Sequence, residues 1–282
     1  SMLSCDAAMS CCNDGRYGNP TFDGKYKQWD HEVLAHPEYA RNIGFRNIGT
    51  RFSPPDMVAS RCRPNSSLYS CRDPATLRRQ FSELKRAHVP VIAVSWIGPS
   101  DSANEARMEA DKTLDVIFDA ADSDGNIKVA FHLEEYEGRT AESAVQDIKY
   151  LFDRYRQRSG LYRDRSGKPW FYVHQSQYIS AADWHGVLAT GTTRFLHCSL
   201  KSCLTTKRAS WGLCFVSTLG STTQSLRKKT YDSVVMGTWL EKSHGEHVLH
   251  SGFDGFFTGA ISQRLWHGAN PERWPGMVRF AR

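Results

Sequence analysis

From residue 73 onward the apolar positions of this chain switch repeatedly between a helical and an extended period. Asp73 stands where a helix N-cap would, Pro74 takes the first helical position, and Leu77, Phe81 and Leu84 follow at spacings of 4 and 3, so a helix is predicted to about Ala87. Pro90 then opens Val91 to Trp96, a β-branched run with little polar alternation, as expected of a parallel strand covered on both faces. Leu114, Ile117, Phe118 and Ala121 line the next helix, Asp124-Gly125 makes a turn, and Ile127 to Leu133 reads as a strand. A helix after Thr140 turns Val145, Ile148, Phe152 and Tyr155 inward. Gly167-Lys168-Pro169 leads into the strand Trp170 to Val173, and Ser180 to Asp183 has the form of a capping box for a helix carrying Trp184, Val187 and Leu188. Tyr231 to Trp239 and Phe253 to Thr258 are further strands, with a helical stretch from Glu241 to His250 between them.

Repeated βα units define an α/β fold, either a (β/α)8 barrel or an open doubly wound sheet. No Gly-x-Gly-x-x-Gly and no Gly-x-x-x-x-Gly-Lys-Ser/Thr follows any strand, which argues against dinucleotide and P-loop sites. About five strands are visible, where closure of the barrel calls for about eight. Residues 190 to 230 break the rhythm with three cysteines, a Ser/Thr-rich stretch and the basic run Arg227-Lys228-Lys229, and read as an irregular insertion in one domain spanning 1–282. The first 70 residues are also irregular and are expected to wrap the barrel or wall a site.

Composition narrows the setting only modestly. The 282 residues include 36 Lys and Arg against 30 Asp and Glu, a formal +6, and no apolar run approaches the roughly 20 residues of a membrane-spanning helix. Ser1 to Gly15 lacks the apolar core of a cleaved leader. The eight cysteines are an even count, Cys62 and Cys71 would close a short loop if oxidised, and Asn65-Ser66-Ser67 is a formal glycosylation acceptor. An oxidising, secretory setting and a reducing one both stay open on these grounds. The basic tract is too short to indicate nucleic acid, although residues 194 to 229 leave a rival reading as a module for acidic partners.

In parallel α/β folds the chemistry gathers where strands end. That edge is expected to carry Trp96, His132, Glu134, Glu135, Tyr136, His174 and Trp239. Aromatic faces beside charged groups suit a sugar. In Glu134-Glu135-Tyr136-Glu137, neighbouring carboxylates would raise one another's pKa and let one act as an acid. His244, His247 and His250, spaced 3 and 3, drift off one helix face, and Cys198, Cys203 and Cys214 lack paired spacing, so no metal or other cofactor is expected. No Gly-x-Ser-x-Gly elbow marks a serine hydrolase.

The blocks Tyr17-Gly18-Asn19-Pro20, Asp23-Gly24-Lys25-Tyr26, Trp29-Asp30-His31, Ser53-Pro54-Pro55-Asp56 and Ser70 to Pro74 come first, followed by Val94-Ser95-Trp96 and Ala130 to Glu134 with Tyr136 and Arg139. Phe171-Tyr172-Val173 and Gly252-Phe253-Asp254-Gly255 continue the order. Over residues 16–188 and 231–282 this succession resembles family-99 glycoside hydrolases, the endo-α-1,2-mannosidases. The resemblance implies a metal-free (β/α)8 barrel, incomplete here, that cleaves internally in α-mannose-containing N-glycans with retention. It implies a place in the secretory pathway, in the Golgi lumen or outside the cell. Tyr17, Asp30, His31, Trp96, His132, Glu134, Tyr136, Arg139 and Tyr172 match positions where that family lines its sugar subsites. Two departures stand out. Ile97 replaces an aromatic residue, and the family's acid and base lie in a Glu-Trp-His-Glu-Gly block that this sequence does not contain. Glu134, with Glu135 or Glu137, is then the candidate catalytic set, and a carbohydrate-binding protein without turnover is the alternative.

Overall fold

The computed structural model describes residues 19–26, 29–30, 51–58, 68–99, 105–189, 225–258 and 271–280. Tyr17, His31, every cysteine but Cys71, the Asn65 triplet and the 190–224 part of the expected insertion lie outside them. The elements are α1 (Pro20–Asp23), α2 (Pro74–Arg86), β1 (Val91–Trp96), α3 (Glu105–Asp124), β2 (Lys128–Leu133), α4 (Ala141–Tyr155), β3 (Trp170–Val173), α5 (Ala181–Leu188), β4 (Val234–Thr238), α6 (His244–Ser251), β5 (Gly255–Phe257) and α7 (Trp274–Phe280). The five strands form one parallel sheet in the order β1-β2-β3-β4-β5, each beside its neighbour in sequence. This is the α/β alternation of a partial (β/α) barrel.

Local chemistry explains most boundaries. The Asp73 carboxylate accepts from the amides of Ala75 and Thr76, and Pro74 sits where no intrahelical donor is needed. α4 starts with a complete capping box between Thr140 and Ser143, a pairing the usual Glu/Gln pattern does not reveal. At α5 only half a box forms: Ser180 Oγ accepts from the Asp183 amide at 3.1 Å, while the Asp183 carboxylate takes the Ser180 hydroxyl instead of reaching back to the backbone. α6 begins at His244 rather than Glu241, because His244 Nδ1 accepts from the Leu240 and Glu241 amides and ties them into a turn. β4 begins three residues later than the apolar pattern suggests, since Asp232 closes a turn with Lys228 and Lys229.

Strand parity divides the sheet into two unlike faces. Ile92, Val94 and Trp96 are buried, whereas Val91, Ala93 and Ser95 are only half-buried, so the expectation that β1 is covered on both faces holds for one face only. On the covered side Phe118, Phe131, Tyr155 and Phe171 form a chain of ring contacts at 4.2–5.8 Å that knits α3 and α4 to β2 and β3. Each such ring contributes on the order of 1.5–3 kcal/mol by leaving water. Further along, β4 accepts the ring of Phe253 directly against Gly237, where an added Cβ would lie 2.8 Å from it. Phe253 in turn packs on Trp184 of α5.

Trp96 corrects one expectation. It ends β1, but it is only 1% exposed and points toward the helices rather than into a sugar subsite. Its indole Nε1–H donates to Asp111 Oδ1 at 3.1 Å, and its ring stacks on Tyr150. Parity is the reason, because Ser95 holds the opposite face. The buried Asp111 also accepts from the Tyr150 hydroxyl at 2.6 Å and from Arg154, whose other nitrogen pairs with Asp115. One carboxylate therefore joins β1, α3 and α4. Replacing it as Asp111→Ala removes the acceptor of the Trp96 indole and the Tyr150 hydroxyl and one of Arg154's two carboxylate partners, and the expected loss in urea unfolding is about 3 kcal/mol. A loss below about 1 kcal/mol would show that the network carries no stability.

Candidate functional site

The parallel register places residues side by side on the open face. Ser95 of β1 is paired with His132 of β2, and His132 with Tyr172 of β3. One step beyond the strand ends, Glu134 and His174 stay aligned, because Glu134 N–H donates to Trp96 O and His174 N–H to Leu133 O, both at 2.9 Å. The backbone ladder thus brings a hydroxyl, two imidazoles and a carboxylate together from three neighbouring strands.

At the centre is the Glu134 carboxylate, whose side chain is 15% exposed. Ser95 Oγ–H donates to Oε1 at 2.6 Å, His132 Nδ1 stands 2.7 Å from the same oxygen, and His174 Nδ1 stands 3.0 Å from Oε2. Burial alone would raise the pKa of this carboxyl, but the bonds from His132, His174 and Ser95 and the proximity of His132 outweigh it and hold the group well below the usual carboxylate range. The expected mutual raising of adjacent carboxylates is therefore reversed. Glu134 is an anion, and Glu135 and Glu137 are exposed on the following loop.

Aromatic edges wall this centre. Phe257 of β5 meets the rings of both His132 and Tyr172 edge-on at 5.4 and 5.2 Å, and the two imidazoles lie 5.4 Å apart. Tyr172 is 7% exposed, and burial, followed by the nearby Tyr162, pushes its phenol upward, so it stays protonated. Tyr136 points elsewhere: its hydroxyl lies 2.8 Å from Ser143 Oγ and from Asp147 Oδ2 on α4, and Arg107 of α3 covers its ring at 4.9 Å. Arg139 Nη2 donates to Gln175 O at 3.1 Å, while its Nη1 is buried without a hydrogen-bond partner among the described residues. Asp30 pairs with Arg51 at 3.6 Å. Trp239 is buried with its ring against Phe256.

Sequence reasoning missed Ser95, Phe257 and Gln175. Ser95 was legible as the register partner of His132, but only once the pairing is known. Gln175 adopts a left-handed conformation, φ 49° and ψ 42°, that no residue preference announces. The histidines of α6 engage three separate partners: His244 caps its own turn, His247 Nε2 bonds Ile179 O at 2.8 Å, and His250 faces Glu246. Among the described residues no group of three or more His, Cys, Asp or Glu side chains converges as metal ligands would.

A clamped carboxylate, imidazoles and aromatic edges at the C-terminal edge of parallel strands define a barrel-type α/β domain with a polar concave site. The sequence model of glycosyl hydrolase family 99 matches residues 6–203, and the chain belongs to that family. It is 31% identical over 270 residues to the glycoprotein endo-alpha-1,2-mannosidase of Mus musculus and 30% identical to that of Rattus norvegicus, covering 94% of this chain and 51% of each relative. The chain thus spans about half the length of these curated relatives. The solved GH99 endo-alpha-mannosidase from Bacteroides thetaiotaomicron superposes with a TM-score of 0.71 at 26% identity, covering 95% of this chain and 65% of that one.

The clamp makes a direct prediction. A group whose folded pKa is depressed contributes stability above its unfolded value, here 4.5, and loses it as pH falls through the folded value. The side-chain carboxyl ¹³C resonance of Glu134 is therefore expected to report an ionised group still at pH 3.5, and His174→Gln to shift its titration upward. Protonation of the parent above pH 4.5 would contradict the clamp.

Proposed function

We propose that this protein is a glycoside hydrolase of the endo-α-1,2-mannosidase type, cleaving internally in α-mannose-containing N-glycans with retention. The observation that carries the reading is the half-buried, charged Glu134 between Ser95, His132 and His174. A pyranose presents several hydroxyl donors, and an anion fixed at the floor of an open site accepts them without having to lose a water shell first. Phe257, half-buried and backed by the ring of Tyr172, offers an aromatic surface to the apolar side of a ring, and His132 contributes a second polar contact. Retaining hydrolysis needs an acid at the leaving oxygen and a second group acting as nucleophile or base. Glu134, held ionised well below the usual carboxylate range, is suited to accepting and orienting a substrate hydroxyl; the same depression makes it a weak base and unsuits it to the acid role. Glu135 and Glu137 are the remaining carboxylates of the same loop for the acid.

The names of the relatives, glycoprotein endo-alpha-1,2-mannosidases, support a mannose-containing oligosaccharide or N-glycan as the partner; the place of action proposed with it is the secretory pathway, in the Golgi lumen or extracellular. A second reading, glycan binding without turnover, is favoured by one fact: the described site holds one half-buried ionised carboxylate, and the two others on its loop are exposed. Among the described residues no helix is long and apolar enough to cross a membrane.

Mass spectrometry of products from a glucosylated high-mannose glycan separates the two readings. Turnover predicts an intact glucosyl-mannose disaccharide, and a fall of about 100-fold or more in Glu134→Gln. Binding without product, lost about tenfold in the same variant, supports the second reading. Normal turnover in Glu134→Gln overturns the role given to Glu134, and neither product nor binding overturns both readings.

A further inference from the structure

The segment from Glu134 to Arg139 joins β2 to α4 and starts at the clamped carboxylate of the site. Arg139 ties its far end to Gln175 O, and Tyr136 anchors its middle. Tyr136 reaches back to α4, where its hydroxyl meets Ser143 Oγ and Asp147 Oδ2 at 2.8 Å each. Asp147 is 6% exposed beneath it. The groups facing Asp147 are the Tyr136 hydroxyl and Arg139 from the segment, Arg107 from α3 and, on its own helix, Ser143. Ser143 also serves the capping box, taking the Thr140 amide at 2.9 Å.

We infer that Asp147 is a positioning residue for the mouth of the site: together with Tyr136 it forms a latch that holds the 134–139 segment closed over α4, and closes it more firmly as the solution becomes acidic. The hydrogen-bond chain stays complete in both protonation states. With Asp147 ionised, the Tyr136 hydroxyl donates to the carboxylate and the Ser143 hydroxyl can donate to Tyr136. With Asp147 protonated, its O–H donates to Tyr136 Oη, which then donates to Ser143 Oγ, so the chain reverses direction without breaking. What changes is the charge under the phenol. Burial raises the Asp147 carboxyl to about 6 from an ordinary 3.8, against the opposing pull of the Tyr136 hydroxyl, Arg107 and Arg139. Lifting the segment would return the carboxyl to water and to its ordinary value. The closed form therefore binds the proton more tightly than the open form, and acid favours closure.

The size of the effect follows from those two values. Between pH 7 and pH 5 the closed-to-open ratio is expected to rise about tenfold. Amide hydrogen exchange without any glycan reads it, at Arg139 N–H, which donates to Tyr136 O, and at Thr140 N–H, which donates to Ser143 Oγ. Protection factors, corrected for the intrinsic pH dependence of exchange, should climb about tenfold at these amides in the parent chain. Asp147→Asn, neutral at every pH, should flatten the profile. Tyr136→Phe, which removes the hydroxyl that makes the latch, should lower protection at both amides and flatten the profile. A flat parent profile, a fall in protection with acid, or the same step persisting in Asp147→Asn would overturn the latch. Only the consequence for ligands rests on the glycan reading: if the closed segment forms the site, affinity for an α-1,2-linked mannobiose rises several-fold over the same interval. Failure of that arm with the exchange step intact would count against the glycan reading and leave the latch standing.

Discussion

A half-buried carboxylate held charged by its neighbours is the constraint around which the site is organised. Three neighbouring strands each deliver a group to Glu134: Ser95 from β1, His132 from β2 and His174 from the end of β3. Their convergence depends on the parallel register, because a slip of one residue in any strand would send its group to the helix side. The backbone bonds that extend the ladder past the strand ends, from Glu134 to Trp96 and from His174 to Leu133, hold that register where it matters. A charge buried without such partners would be neutralised rather than tolerated.

The opposite face is organised by a second buried carboxylate with a different task. Asp111 gathers Trp96, Tyr150 and Arg154, so that the end of β1 is tied to α3 and α4. Ser95 and Trp96 are adjacent in the chain, and the two carboxylates therefore act on the two sides of one strand end. Asp111 anchors Trp96, the neighbour of the Ser95 that bonds Glu134. Beyond the sheet, Asp147 holds the 134–139 segment through Tyr136. Three acidic residues thus set the floor, the wall and the rim of the site.

The fold was largely legible in the sequence, because long helices with 3–4 spacing and β-branched runs between them carry strong periodic signals. The helix from Pro74 and the strands at Val91, Lys128 and Trp170 fall where the apolar pattern puts them. Boundaries set by single side chains were not legible, such as the His244 cap and the Thr140–Ser143 box, since they depend on a rotamer rather than a pattern. In the candidate site, the position of Glu134 and the two histidines at the sheet edge followed from where strands end. The direction in which residues point did not. Trp96 and Tyr136 resemble sugar-lining positions in sequence, yet one packs under the helices and the other spends its hydroxyl on α4. Ser95 and Phe257 carry no distinguishing sequence mark, and only strand register and sheet curvature bring them to Glu134 and His132.

The most direct test of this picture is to titrate the folded protein with α-1,2-linked mannobiose and follow the side-chain resonances of His132, His174, Tyr172 and Phe257 alongside the Glu134 carboxyl. Saturable shifts confined to this group, and abolished in Glu134→Gln, are the predicted result. Saturable binding that leaves these five residues unmoved, or no binding by folded protein, would contradict the assignment of a mannoside site to the charged edge of the sheet.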